Sequence, residues 1–260
     1  MLSSLGNIFK IPDLKRKVLF TLLILVIYRL GSFIPVPGIN ASALKEFFGG
    51  GNGGSLFGMF DLFVGGNLKR ASVFALGIMP YITTSIVLQL LGGVIPYFEK
   101  LKKEGAEGQK KITQYTRYGT VLVAAFNAFG ISLFLQNLQS SAGAAVPHPG
   151  PLFIFTSVLT MVTGTMFIMW LGEKITDHGI GNGISLIIFA GIIVRYPRGF
   201  YNMYQMVRAG AMSIFMAIFV LIIMVFVTAA VVLVTEGTRR IPVQYAKRII
   251  GRKIYGGQTS

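Results

Sequence analysis

Ser55-Leu56-Phe57-Gly58-Met59-Phe60-Asp61-Leu62-Phe63-Val64-Gly65-Gly66, continued by Asn67-Leu68-Lys69-Arg70 and by the uncharged run Ala71–Leu91, is the stretch on which the fold turns. The block Leu56–Val64 has glycines on both sides, Gly49-Gly50-Gly51 and Gly53-Gly54 before it and Gly65-Gly66 after. Ala71–Leu91 holds 21 residues without a charge, long enough as a helix to cross a bilayer at ~1.5 Å per residue. The shorter block would reach only ~13 Å, under half of a ~30 Å hydrocarbon core. The sequence therefore predicts a half-length apolar piece, hinged on glycine and leading into a full span. Pro80 falls inside that span, where it removes a backbone hydrogen bond and should kink the helix.

Composition sets the class. Of 260 residues, 53% are hydrophobic and 13% charged, with a mean hydropathy of +0.67. Soluble chains carry about a quarter charged residues. The apolar residues also fall in long unbroken runs, as in an all-α integral membrane protein. Cysteine is absent, which removes disulfides and thiol chemistry. His148 and His178 lie far apart in separate polar loops, so no metal and no cofactor is expected. The net charge of +15 sits outside the apolar runs. On a membrane protein such an excess orients the chain and attracts anionic lipids; the other reading is an acidic partner such as RNA.

The spans follow in order. Residues 1–17 are polar and basic and hold the helix-start pair Pro12-Asp13. Val18–Ile34 is the first span. Ala41-Ser42-Ala43 has the look of a cleavage site, but the apolar run before it exceeds the roughly 7–15 residues of a signal-peptide core, so the helix is read as retained. Arg29 lies near its outer end, placed to snorkel. Pro35-Val36-Pro37-Gly38 ends it. After Ala71–Leu91 comes a polar loop, Pro96–Thr116, then a third span, Tyr118–Leu138, with one buried amide, Asn127. Phe153–Leu171 is the fourth, with Trp170 at its edge. Glu173–Asn182 reads as a tight polar connection, Ala211–Val234 as the sixth span, and 235–260 as a basic tail.

The fifth run, Gly183–Val194, has only 12 residues and by length alone could be re-entrant. Charge decides. If it spans, 17 of the 24 lysines and arginines lie on the amino-terminal side and six opposite; if not, the six of the tail change sides and the bias shrinks. The positive-inside rule favours six spans with both ends cytoplasmic, at the cost of leaving Arg195, Arg198 and Arg208 outside.

No catalytic set emerges. The chain has no phosphate loop, no Gly-x-Gly-x-x-Gly after a strand, no His-x-x-x-His, and no carboxylate inside a span to drive a proton-coupled pump. Apolar geometry remains. Ile78, Ile82 and Ile86 recur every four residues on the second span, and Ile184 and Ile188 do so on the fifth. Such stripes pack helices together, or they meet as a constriction that excludes water and ions by dewetting. Asp61 allows two readings: a helix lying flat outside with its carboxylate in water, or a movable block that seals a mouth. Gly179-Ile180-Gly181-Asn182-Gly183 is read as structural, a tight helix start with Asn182 as cap. In the tail, Arg239-Arg240, Lys247-Arg248 and Arg252-Lys253 are interleaved with Tyr245 and Tyr255. They form a solvated inner loop beside anionic lipid, or they contact RNA phosphates or an acidic protein.

The two longest motifs tip these balances. Ala75-Leu76-Gly77-Ile78-Met79-Pro80-Tyr81-Ile82-Thr83-Thr84-Ser85-Ile86 with Gln89, and Trp170-Leu171-Gly172-Glu173 through Gly179-Ile180-Gly181-Asn182-Gly183-Ile184-Ser185, resemble the two signatures of the SecY family of protein-conducting channels. Arg29–Gly38, Lys103-Glu104-Gly105 and Gln114–Gly119 match as well, so the resemblance covers the whole chain. Thr84 stands where the family usually has Ala or Ser.

The resemblance implies half of an inverted-repeat channel: six transmembrane helices plus a short re-entrant plug helix, and no enzyme. It implies residues 1–17 as a cytoplasmic segment and 18–194 as a five-helix half-channel with its plug at 55–66. Residues 195–234 become an external loop and sixth helix, and 235–260 a basic cytoplasmic loop cut short. The pore ring falls on Ile78, Ile82, Ile184 and Ile188. The plug falls on Leu56, Phe57, Met59, Phe60, Asp61, Leu62, Phe63 and Val64, and one wall of the lateral gate on Thr83, Ile86, Val87 and Asn127. The tail takes the ribosome or motor contact, on Arg239, Arg240, Lys247, Arg248, Arg252 and Lys253. Implied partners are SecE-like and SecG-like small membrane subunits, the SecA motor ATPase or ribosomal RNA, signal peptides and nascent chains, anionic lipids and the remaining carboxy-terminal half. The implied setting is the cell inner membrane. A small-solute transporter built on inverted repeats is the alternative; it would want a polar mid-membrane site, and the chain offers chiefly Asn127 and Gln89.

Overall fold

A computed structural model describes residues 11–49, 55–140, 143–238, 243–244, 248–250, 253–255 and 258–259. It divides into two compact units, Met1–Tyr196 and Pro197–Ser260. The described residues of the first hold α1 (Pro12–Gly31), α2 (Ala41–Gly49), α3 (Ser55–Phe63), α4 (Met79–Val94), α5 (Pro96–Lys103), α6 (Ala106–Gln136), α7 (Pro151–His178) and α8 (Gly183–Ile193), with a two-stranded pair β1 (Gln139–Ser140) and β2 (Gly143–Ala144). Pro12, Pro96 and Pro151 each open a helix, where the missing N–H costs nothing and the fixed φ is already helical.

Two apolar clusters hold this unit together. One joins Leu68, Leu76, Ala124, Ala128, Leu135, Phe153 and Met161; the other joins Ile24, Tyr28, Phe74, Ile78, Ile168, Leu171, Ile175 and Ile187. At helix–helix contacts the side chains are small. The hydroxyls of Ser132 on α6 and Ser157 on α7 lie 3.0 Å apart and buried. Further along the same pair, Arg117 donates Nε and Nη2 to the two carboxylate oxygens of Glu173, at 3.0 and 2.7 Å.

The second span differs from expectation. No helix runs over Ala71–Leu91: residues 64–78 turn repeatedly, and α4 starts only at Met79, with Pro80 in its first turn rather than at a mid-span kink. The residues before it have found another partner. Val36 N–H donates to the Ala71 carbonyl (2.7 Å), Val73 N–H donates to Ile34 (2.9 Å), and Pro35 pairs with Ser72 as an antiparallel bridge. Gly164 on α7 leaves room for this extended segment, since a Cβ there would run into the Val73 carbonyl. Hydrogen bonds to 34–36 replace those of a helix that Pro80 cannot continue.

Two expected loops are helical. Pro96–Thr116 forms α5 and the start of α6; α5 turns 98° from α4 and carries a Glu99–Lys103 pair at 2.6 Å. Glu173–His178 continues α7, so His178 is a helix end, its ring 6.0 Å from that of Phe20, and not a loop residue. At the end of α1, Arg29 lies over the Phe33 ring at 5.2 Å, and Arg70 lies over it at 4.7 Å.

The second unit contains α9 (Tyr196–Arg208, from the unit boundary), α10 (Ile214–Glu236) and two antiparallel pairs, β3 (Val243–Gln244) with β6 (Gln258–Thr259) and β4 (Arg248–Ile250) with β5 (Lys253–Tyr255). Helix α9 lies where the sequence showed only a loop, and Arg248 pairs with Tyr255 and Lys253 with Ile250 on strands. Arg239, Arg240, Lys247 and Arg252 lie outside the described residues.

Ala106–Gln136, Pro151–His178, Gly183–Arg208 and Ile214–Glu236 are each long and apolar enough to cross a membrane, and the bent pair α4–α5 is a fifth candidate. Helix α1 gathers Asp13, Lys15, Arg16 and Lys17 at its start and Arg29 near its end, with the apolar run Val18–Tyr28 between them.

Candidate functional site

The half-length block is a helix, Ser55–Phe63, as its length suggested. Met59 and Phe63 are exposed, Gly58 and Phe60 half-buried, Val64 2% exposed and Asp61 fully buried. Leu56, Phe57 and Leu62 lie in the helix, but their side chains are outside what the structure describes. The reading of a helix lying flat with Asp61 in water is therefore overturned. A carboxylate without water needs donors, and three converge on this one. Oδ1 accepts from the backbone N–H groups of Leu68 and Lys69, both at 3.1 Å, and Oδ2 accepts from Arg195 Nη2 at 2.5 Å.

The turn behind Asp61 makes this approach possible. Gly65 and Gly66 have φ of +73° and +86°, a conformation that strains any residue with a Cβ. A Cβ on Gly65 would lie 2.9 Å from Gly191 Cα on α8, and one on Gly66 would lie 2.5 Å from Arg195 Nη2. Asn67, fully buried, donates its amide to the Tyr28 hydroxyl at 3.5 Å.

The isoleucine rows pack into the same apolar cluster. Ile78, Ile82, Ile184 and Ile188 belong to one apolar cluster, with Ile78 buried and the other three partly so. Ile78 sits at the N-cap of α4; Ile86, 51% exposed, leaves the cluster, so the expected three-residue stripe contributes two members. On α8 the fully packed row is Gly183, Ile187 and Gly191, with Ile184 and Ile188 on the neighbouring flank. That helix is fixed at its start. Asn182 Oδ1 accepts from the N–H groups of Ile184 (3.1 Å) and Ser185 (3.2 Å), as a cap should, and the Gly183 N–H reaches the Thr176 hydroxyl at 3.0 Å.

The four gate positions are all exposed, on two helices that pack together. Thr83, Ile86 and Val87 are exposed on α4, near the level where Thr84 meets Gly119 of α6. Asn127, also exposed, lines a groove of about 600 Å³ with Phe60, Leu68, Leu76, Phe126 and Phe134. Asn127 faces the irregular segment before α4, through Leu68 and Leu76.

Arg195, Gly191, Tyr28 and Asn67 are functional candidates that the sequence did not single out. One signal was present: Asp61 is the only carboxylate in an apolar setting, and Arg195 is one of the three arginines that the charge count leaves on the sparsely basic side.

A multi-pass membrane protein with a short helix docked beside an apolar cluster that holds both isoleucine rows shares its fold with solved protein-conducting channels. A protein conducting channel aligns over 97% of this chain and 56% of its own, at 21% identity and TM-score 0.60. Sec61 in the canine ribosome–channel complex from the endoplasmic reticulum aligns over 93% and 54%, at 20% identity and TM-score 0.60. The SecY family profile matches residues 72–260, and the chain belongs to the SecY family. It is 48% identical to protein translocase subunit SecY of Escherichia coli K12 over 95% of this chain and 56% of that protein. With the SecY of Thermus thermophilus it shares 44% identity over 100% of this chain and 59% of the relative. The chain thus spans somewhat over half the length of these relatives. None of them favours a solute transporter.

Proposed function

We propose that this chain supplies the amino-terminal half of a channel that passes unfolded polypeptides across a membrane and releases transmembrane segments sideways into lipid. The observation that supports this is the packing of Ile78, Ile82, Ile184 and Ile188 into one apolar cluster, with a docked half-length helix tied to Arg195 just beyond α8. Branched alkyl side chains offer no hydrogen bonds, so a collar of them seals around a moving chain without reading its sequence. In this reading the four isoleucines are half of the pore ring, and Leu56–Val64 is the plug. The exposed flank Thr83, Ile86 and Val87, with Asn127 further along α6, forms one wall of the lateral gate. Residues 18–194 make the half-channel, and 195–234 the outer loop and sixth span.

The tail, with Arg239, Arg240, Lys247, Arg248, Arg252 and Lys253, takes the contact with ribosomal RNA or a SecA-type motor. Its charge supports this, as does the ribosome-bound state in which the Sec61 relative was solved. SecE-like and SecG-like subunits and the carboxy-terminal half complete the assembly. Both ends of this chain face the cytoplasm of a cell whose inner membrane holds it, the orientation that the lysine and arginine distribution supports. Replacing Ile82 and Ile188 with Ser should raise ion conductance of the assembled channel in planar bilayers; unchanged conductance would refute the ring.

A further inference from the structure

We propose that Arg195 is the positioning residue of the plug: its ion pair with Asp61 is a latch that keeps Ser55–Phe63 docked, and parting that pair is the step that frees the helix. This rests on the plug reading above. Three donors hold the Asp61 carboxylate. Leu68 and Lys69 lie seven and eight residues on in the same turn, so their N–H groups are local partners of the carboxylate. Arg195 comes from 134 residues away, just beyond α8, and is the donor that release removes. The pair is also unequal. Asp61 is fully buried, whereas the Arg195 side chain is 30% exposed, so the arginine has a path to water that the carboxylate lacks.

Close backbone approach sets the pair. Gly65 passes against Gly191, and Gly66 leaves the space that the guanidinium fills. Val64, next in the chain to this turn, packs on Gly77 and is closed off from solvent. A buried ion pair makes such a latch reversible, because both ions regain hydration on parting; removing one partner instead strands the other. The stranded group is worse placed when it is Asp61. Arg195→Gln should therefore unlatch the helix more than Asp61→Asn does.

These 260 residues contain no cysteine, so Val64→Cys gives them a single maleimide site, and labelling there is read in the assembled, membrane-embedded channel after subtracting that of the same channel without the substitution. Labelling should accelerate by about tenfold or more with Arg195→Gln. It should rise less with Asp61→Asn and stay near the parent rate with Arg195→Lys, which keeps the charge. The double variant Asp61→Asn with Arg195→Gln should label more slowly than Arg195→Gln alone, since no charge is then stranded. Equal labelling of parent and Arg195→Gln would overturn the latch, as would Arg195→Lys behaving like Arg195→Gln. Conductance after deletion of Leu56–Val64 separates this from the underlying reading. If deletion raises leak while Arg195→Gln leaves position 64 protected, the plug stands and the latch fails. If deletion leaves leak unchanged while Arg195→Gln exposes position 64, the contact is real but is not a plug latch, and the proposal falls with the plug reading.

Discussion

Helices α3 and α8 are both short, nine and eleven residues, and they are held in opposite ways. Helix α8 is pinned along its length: Asn182 caps it, the Thr176 hydroxyl takes the Gly183 N–H, and Gly183, Ile187 and Gly191 are buried in succession. Helix α3 is pinned at one end. Asp61 and the following Val64 are buried, while Met59 and Phe63 are exposed. Shortness therefore says nothing about role; the distribution of anchors does. A helix fixed throughout is framework; one held chiefly at its carboxy-terminal end, by the contacts of Asp61 and a glycine turn, has fewer neighbours to disturb if it moves.

The strongest way to break this comparison is to overpack the framework helix. A Cβ on Gly183 would run into the Gly172 carbonyl and Ile175. Gly183→Val should cost about 3 kcal/mol or more, because backbone cannot yield as a side-chain end can, and thermal unfolding in detergent should drop sharply. A normal midpoint would mean that α8 is as loosely held as α3. A smaller effect sharpens the comparison: Asn182→Ala removes one cap and should cost ~1 kcal/mol, shifting the same midpoint by a few degrees while leaving the exposure of Val64 unchanged. A gain in Val64→Cys labelling in that variant would contradict the separation of framework from movable element.

The sequence made much of this fold legible, for identifiable reasons. The long apolar runs of α6, α7 and α10 declare themselves by length and lack of charge, and Asn182 after a glycine-rich stretch reads as a cap. The second span was misread because an uncharged run says only that a segment is apolar. Residues 71–73 prefer the backbone of 34–36, a competition visible only once both are placed. Charged residues at 96–116 suggested a loop, yet paired lysines and glutamates equally suit an exposed helix face. Asp61 stood out as a carboxylate without company, while its partner lay 134 residues away and was brought to it by the return of α8. Topology, not local pattern, made that pair.

The convergence of the two isoleucine rows is tested most directly by a photoreactive side chain placed at Ile82 and, separately, at Ile188 in the assembled channel during arrested export. Both positions should cross-link to the arrested polypeptide, and a control at exposed Leu159 on α7 should not. Adducts from 82 and 188 only with lipid, or only within this chain, would contradict the conduit.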